Sequence, residues 1–169
     1  MKKILLIVIA ILLISLSSVA NIAQASSSAT VASTVTIQSV SVSVGSGTVT
    51  YGTLATNTSE STIVSDLNDT QTVTNNGNVA EDFTVKGQNS ANWTLAASAG
   101  SDQYVHKFCT SSCGTPPTNF SALTTSYQSL ASNVAAAGTA NLDLQITTPT
   151  SSSVTTQQTV DVTILAAAH

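Results

Sequence analysis

Cys109 and Cys113 stand four apart in Phe108-Cys109-Thr110-Ser111-Ser112-Cys113-Gly114. In an exported chain two such thiols close a disulfide. A ring this small stabilises by about 2 kcal/mol through loop entropy and stiffens one loop tip. A metal site built from His106 and both thiolates lacks a fourth ligand. His106 and Asp102 are pieces of a Ser-His-Asp arrangement, but no Gly-x-Ser-x-Gly turn exposes a nucleophile. His106 therefore reads as a strand histidine beside a polar neighbour. Glu81 and Asp82 are adjacent, so a strand sends them to opposite faces and they cannot share one glycosidic bond. Asp66-Leu67-Asn68-Asp69 offers oxygens for a calcium ion near Asp66 and Asp69, without EF-hand spacing. A turn whose Asx side chains bond the backbone is the plainer expectation there. Trp93, Tyr51, Tyr104 and Tyr127 are suited to stacking sugar rings, but a chain this poor in large side chains needs them inside. Trp93 is expected to be buried. No catalytic residue, cofactor or metal ligand is assigned, and the chain is expected not to be an enzyme.

The elements that position these residues follow from an unusual composition. Only 7% of the 169 residues are charged, against a usual ~25%. The chain holds 26 serines and 27 threonines, no arginine, and four lysines: Lys2, Lys3, Lys86 and Lys107. Nucleic-acid binding needs a basic stripe that is absent here. At 42% apolar residues the chain has the material for a core, unlike a charge-rich disordered tail.

Residues 1–25 read as a signal peptide: Lys2 and Lys3, an apolar run from Ile4 to Leu16, then Ala23-Gln24-Ala25 as the cleavage site. Cleavage leaves two lysines against eight acids, a net charge of −6, and no membrane anchor. Secretion, or display at the cell surface, is the expected destination. Four Asn-x-Ser/Thr sites, at Asn57, Asn68, Asn92 and Asn119, matter only in a host that glycosylates exported proteins.

Residues 26–169 read as one domain with a mobile leader at 26–33. Short alternating runs follow: Thr34–Ile37, Val40–Val44, Thr48–Tyr51, Thr70–Thr74, Val79–Lys86, Trp93–Leu95, Tyr104–Phe108, Leu142–Ile146 and Val160–Ile164. The phase slips between Val35/Ile37 and Val40/Val42/Val44, which a bulge near Gln38 accommodates. Asn75-Asn76-Gly77-Asn78 is the strongest turn signal. A three-residue loop there makes a hairpin pairing Asn75 with Val79 and puts Val73, Val79, Phe83 and Val85 on one face. Glu81 falls on that face too, which requires a bulge or an edge position. Leu123, Tyr127 and Leu130 are spaced for a helical turn or an irregular covering segment. The predicted fold is all-β: an antiparallel β-sandwich, immunoglobulin-like or jelly-roll, of seven to nine strands.

The stretch Thr72-Val73-Thr74-Asn75-Asn76-Gly77-Asn78-Val79, followed by Phe83-Thr84-Val85, resembles the hairpin of CARDB- and NEW3-type modules of microbial surface proteins. Val42 to Leu54, with Gly47-Thr48-Val49-Thr50-Tyr51-Gly52-Thr53-Leu54, is similar to the opening of small secreted sandwich proteins of the TasA and camelysin matrix group. The resemblance implies a sandwich in a surface or matrix setting. The metallopeptidase activity described for camelysin has no metal-ligand motif here to carry it.

The sequence thus predicts a non-enzymatic structural protein of the cell surface or extracellular matrix. Ser26 to Val44 pairs within its own sandwich or, alternatively, residues 26–38 add as a strand to a neighbouring copy and so build fibres. The partner is then the chain itself; a surface glycan or protein is the partner if the domain is instead a binding module.

Overall fold

The structure is a computed structural model that describes residues 26–63, 67, 69–114 and 117–169. The signal-peptide residues, and Asp66 and Asn68 of the calcium candidate, lie outside these. Among the described residues there are ten strands and no helix: β1 (Val42–Val44), β2 (Ser59–Ser61), β3 (Gln71–Asn75), β4 (Glu81–Lys86), β5 (Thr94–Leu95), β6 (Gln103–Cys109), β7 (Ser121–Ala122), β8 (Gln128–Val134), β9 (Thr139–Thr147) and β10 (Thr163–Ala168). Residues Thr36–His169 make one compact unit. Residues 26–35 carry no strand and are exposed.

The strands form two sheets. The larger runs β1-β3-β9-β6-β5, with β2 also on β9 and β7 also on β6; the smaller runs β10-β4-β8. All pairings are antiparallel except β5 with β6, where Thr94 and Leu95 run parallel to Gln103 and Tyr104. The all-β expectation holds. The strand number exceeds the expected seven to nine, and the larger sheet is mixed rather than purely antiparallel.

Burial follows the sequence alternation. In β3 the inward set is Gln71, Val73 and Asn75, and in β4 it is Glu81, Phe83 and Val85. One apolar cluster draws on both sheets: Val73, Phe108, Leu142 and Leu144 from the larger, Phe83, Val85 and Leu130 from the smaller, with Leu123 after β7. Side chains of period two can bury one face only, so each sheet must spend its apolar face on a shared interior.

The predicted hairpin at Asn75–Asn78 does not form. Val73, Phe83 and Val85 turn inward as expected and Val79 is only half-buried, but β3 pairs with β1 and β9, while β4 pairs with β10 and β8. The turn therefore carries the chain from one sheet to the other. Asn75 makes this possible. Its side-chain amide donates to the carbonyls of Val79 (2.8 Å) and Val134 (2.9 Å), and its Oδ1 accepts from the Gly77 N–H (2.8 Å). These bonds give backbone groups their partners where the chain leaves one sheet for the other. The Glu81 Oε1 accepts from the Ser41 N–H at 2.9 Å. A Cβ on Gly77 would collide with that carboxylate and with the Ser39 carbonyl, so only glycine fits. The bulge expected beside Glu81 is present as register shifts in the β4–β8 ladder between Glu81 and Thr84.

Two further expectations are corrected. Thr34–Ile37 is not a strand: Val35 and Ile37 point into solvent, and the Ile37 carbonyl is held by Asn78 Nδ2. Residues 120–130 hold no helical turn. Leu123 and Leu130 are buried from the extended chain of β7 and β8, while Tyr127 stays exposed with the Lys86 ammonium 4.7 Å over its ring. Serine, threonine and alanine between these apolar residues suit extended chain as well as a turn, so of the two alternatives the helical turn is the one that fails.

Candidate functional site

The middle of β6 sends Tyr104 and His106 into the protein, and both are buried. His106 Nε2 lies 3.0 Å from the Tyr51 hydroxyl, and the two rings meet edge to face at 5.8 Å. Tyr104 stands 6.3 Å from His106 on the other side, and Trp93 stands 6.2 Å from Tyr104. The four rings form a continuous file. His106 Nδ1 is buried with no hydrogen-bond partner among the described residues. Burial in this apolar surround holds the imidazole neutral, its pKa pushed down to about 4. Burial also pushes the Tyr51 phenol well above the usual tyrosine range, and the carboxylates of Asp69 and Glu60 add to the effect. The Tyr104 phenol is raised for the same leading reason; it donates to the Gln88 carbonyl.

Tyr51 and His106 line a cleft of about 1240 Å³. Leu142, Leu144 and Ile146 of β9 line it, together with residues from Gly47 to Thr56 and from Val154 to Val162. Asp161 is the one charged residue among the described lining residues. Trp93 lies at this cleft and is half-buried, not enclosed as expected. Its indole N–H donates to Ser152 Oγ at 2.9 Å. A two-residue strand beside a polar loop cannot enclose so large a ring, and the indole N–H needs a partner near solvent.

The structure separates the other sequence candidates. Asp102 takes a left-handed φ of 51° and accepts from the Ser153 N–H at 2.7 Å; that bond is the main reason its carboxyl titrates below the usual range. It does not orient His106. Glu81 and Asp82 face opposite ways. Glu81 is fully buried, and its Oε2 has no hydrogen-bond partner among the described residues. Asp82 Oδ1 accepts from Ser132 Oγ (2.6 Å), the Asn133 N–H (2.8 Å) and His169 Nδ1 (2.8 Å). Asp69 Oδ1 accepts from Gln71 Nε2 at 2.8 Å. Among the described residues no three His, Cys, Asp or Glu side chains are grouped as metal ligands. Cys109 ends β6, and its sulfur stands 2.07 Å from that of Cys113, with Cα atoms 5.9 Å apart, which is disulfide geometry.

Sequence reasoning missed the Tyr51–His106 pair. The residues are 55 apart, and nothing local marks a tyrosine as a histidine's partner. The cleft was equally hidden, because its walls read as ordinary strand and linker. No family model, no curated protein and no solved structure matches the chain.

Proposed function

We propose that this chain is a non-enzymatic, exported structural protein of the cell surface or extracellular matrix, and that copies join by strand addition through the N-terminal segment. The observation that carries the reading is the state of that segment. Val31 is 90% exposed, Val35 91% and Ile37 84%. Three large apolar side chains in one short, strand-free stretch are costly in water, at about 1.5–3 kcal/mol each relative to burial. Exposed apolar patches of this kind mark interaction sites. Ala29, Val31, Val35 and Ile37 share one parity, so the segment as a strand offers one apolar edge and a hydroxyl-rich opposite edge. Contacts from Asn78 to Ile37 and Ser39 limit the free portion to about residues 26–36, shorter than the expected 26–38.

The two sheets are read as the faces of an immunoglobulin-like sandwich, supported by the cluster that both sheets share. The resemblance to the surface modules and to the TasA and camelysin group points the same way. A glycan- or protein-binding module is the second reading, supported by Trp93 lying half-open at the cleft.

Electron microscopy and sedimentation of the chain begun at Ser26 test the proposal. Elongated assemblies whose mass rises with concentration are expected, and removal of residues 26–35 should leave a monomer. A mass that stays monomeric up to millimolar concentration would sink the strand-addition reading; a glycan array then tests the second.

A further inference from the structure

The crossover from β3 to β4 contains Asn76-Gly77, the one place in the chain where glycine follows asparagine. That dipeptide has a chemistry of its own in water. The glycine nitrogen, once it gives up its proton, can attack the asparagine side-chain carbonyl and close a five-membered ring. Glycine permits the attack because no Cβ blocks the approach and its backbone turns freely. Asn76 is exposed, so water and base reach it. The fold commits both reacting groups elsewhere. The Gly77 N–H donates to Asn75 Oδ1 at 2.8 Å, and the Asn76 Nδ2 amide donates to Ser43 Oγ at 2.7 Å. The Asn76 N–H donates to the Ser41 carbonyl at 2.7 Å. Two of these bonds end on Ser41 and Ser43, the chain of β1, where Ser43 faces Thr74 in the ladder with β3. They last only while β1 stays docked.

We propose that Asn76 is a self-modification site, latent while β1 is paired and released when β1 leaves β3. Water is the only co-reactant. The Gly77 N–H proton passes to hydroxide or a buffer base, and the Gly77 nitrogen bonds to Asn76 Cγ. The Cγ–Nδ2 bond breaks, and the side-chain nitrogen takes a proton and leaves as ammonia. The resulting succinimide takes up one water. Opening at the Cγ carbonyl gives aspartate. Opening at the main-chain carbonyl gives isoaspartate, whose backbone runs through Cβ and Cγ and is one atom longer. Gly77 has no room for that longer path: a single added carbon on it would already meet the Ser39 carbonyl and the Glu81 carboxylate. Isoaspartate therefore moves the Gly77 N–H off Asn75 Oδ1 and keeps β1 from docking again. The crossover is a one-way device, in which an opening of β1 that lasts long enough is recorded in covalent form. Nothing in this depends on whether or how copies join.

The test incubates the chain begun at Ser26 in mildly alkaline buffer, folded and in urea, beside the free peptide of residues 72–80. Mass spectrometry follows Asn76, with enzymatic methylation as the label specific for isoaspartate. Conversion in urea should match that of the peptide. In the folded chain it should be slower by about tenfold or more, since only the open fraction reacts. Ser43→Ala frees the Asn76 amide at an exposed position, so it should speed conversion several-fold in the folded chain and leave the rate in urea unchanged. Isoaspartate-bearing chain returned to buffer should exchange the amide hydrogens of Val42–Val44 rapidly while the β4–β8 ladder stays protected. Asn76→Asp, whose backbone has the ordinary length, should keep β1 protected. Equal rates in the folded chain and in urea overturn the gating by β1, as does a Ser43→Ala chain that converts no faster. Absence of conversion at Asn76 in urea overturns the site itself. Unchanged protection of β1 in the isoaspartate chain overturns the one-way step, and loss of protection throughout overturns its confinement to the crossover.

Discussion

His106 is a neutral imidazole enclosed by protein, and that has a direct consequence for pH. Its folded pKa of about 4 lies below the ordinary 6.5, so between these values the unfolded chain binds the extra proton. Stability is therefore full above pH 6.5 and falls as pH drops toward 4, by at most about 3 kcal/mol. Urea melts from pH 7 to pH 4 should show this slope, and His106→Gln should flatten it. Tyr51→Phe removes the hydroxyl facing Nε2 and leaves both ring nitrogens unpartnered, so it should cost about 1–3 kcal/mol at neutral pH. The pivot at Asn75 is a second vulnerable point. Asn75→Ala strips partners from the Val79 and Val134 carbonyls and the Gly77 N–H, and a loss above about 2 kcal/mol is expected in the same melts. Asn75→Asp should lose almost as much, because a carboxylate cannot donate to the two carbonyls. Little of this was legible. Asn75 read as a turn former, which it is; its role as a buried donor depends on Val134, 59 residues away.

Among the strands, the sequence disclosed which side chains turn inward more reliably than which strands meet. Val73, Phe83, Val85, Leu142, Leu144 and Ile146 are all buried as their alternation required. Pairing failed at Asn75–Asn78 because alternation specifies a face and says nothing of the neighbour across the ladder. The Thr48–Tyr51 and Val160–Val162 stretches failed differently: their pattern is that of strands, and they have no ladder partner among the described residues. The join of β4, β8 and β10 carries its own pH signature. The Ser132 hydroxyl first, then the Asn133 N–H and His169, draw the Asp82 carboxyl down to about 2. Its contribution is present above the ordinary 3.8 and is lost as pH falls toward 2, a window below that of His106. Asp82→Asn should remove the lower window and leave the upper one unchanged. At the end of β6, unreduced protein should weigh two hydrogens less than the reduced chain, and reduction should loosen residues 110–114 while leaving the β6–β9 ladder protected from hydrogen exchange.

For the molecule as a whole, scarce charge and abundant hydroxyl groups leave few guards against edge pairing. Added salt should therefore change the proposed assembly little, since the segment 26–38 carries no charge. Turbidity or sedimentation across 0.05–1 M salt (roughly a fivefold range of Debye length) checks this; steep dissociation with salt would show that charge governs the contact.

The order of strands also sets a timetable. β9 is the sole ladder partner of β2 and the bridge between β3 and β6, while β4 waits for β8 and β10. As the chain is made from its N-terminus, β1 can find β3, and β6 can find β5 and β7, but no sheet can be completed before Thr139 has emerged. Contacts of such long sequence separation form late and slowly, because loop closure must come first. Chains cut at Gly138 should accordingly show no cooperative melt, and a ribosome-bound series should become protease-resistant only once β9 and β10 are both free of the tunnel. Until then the chain holds only partial pairings, and its scarce charge does little to keep the unfinished strands apart.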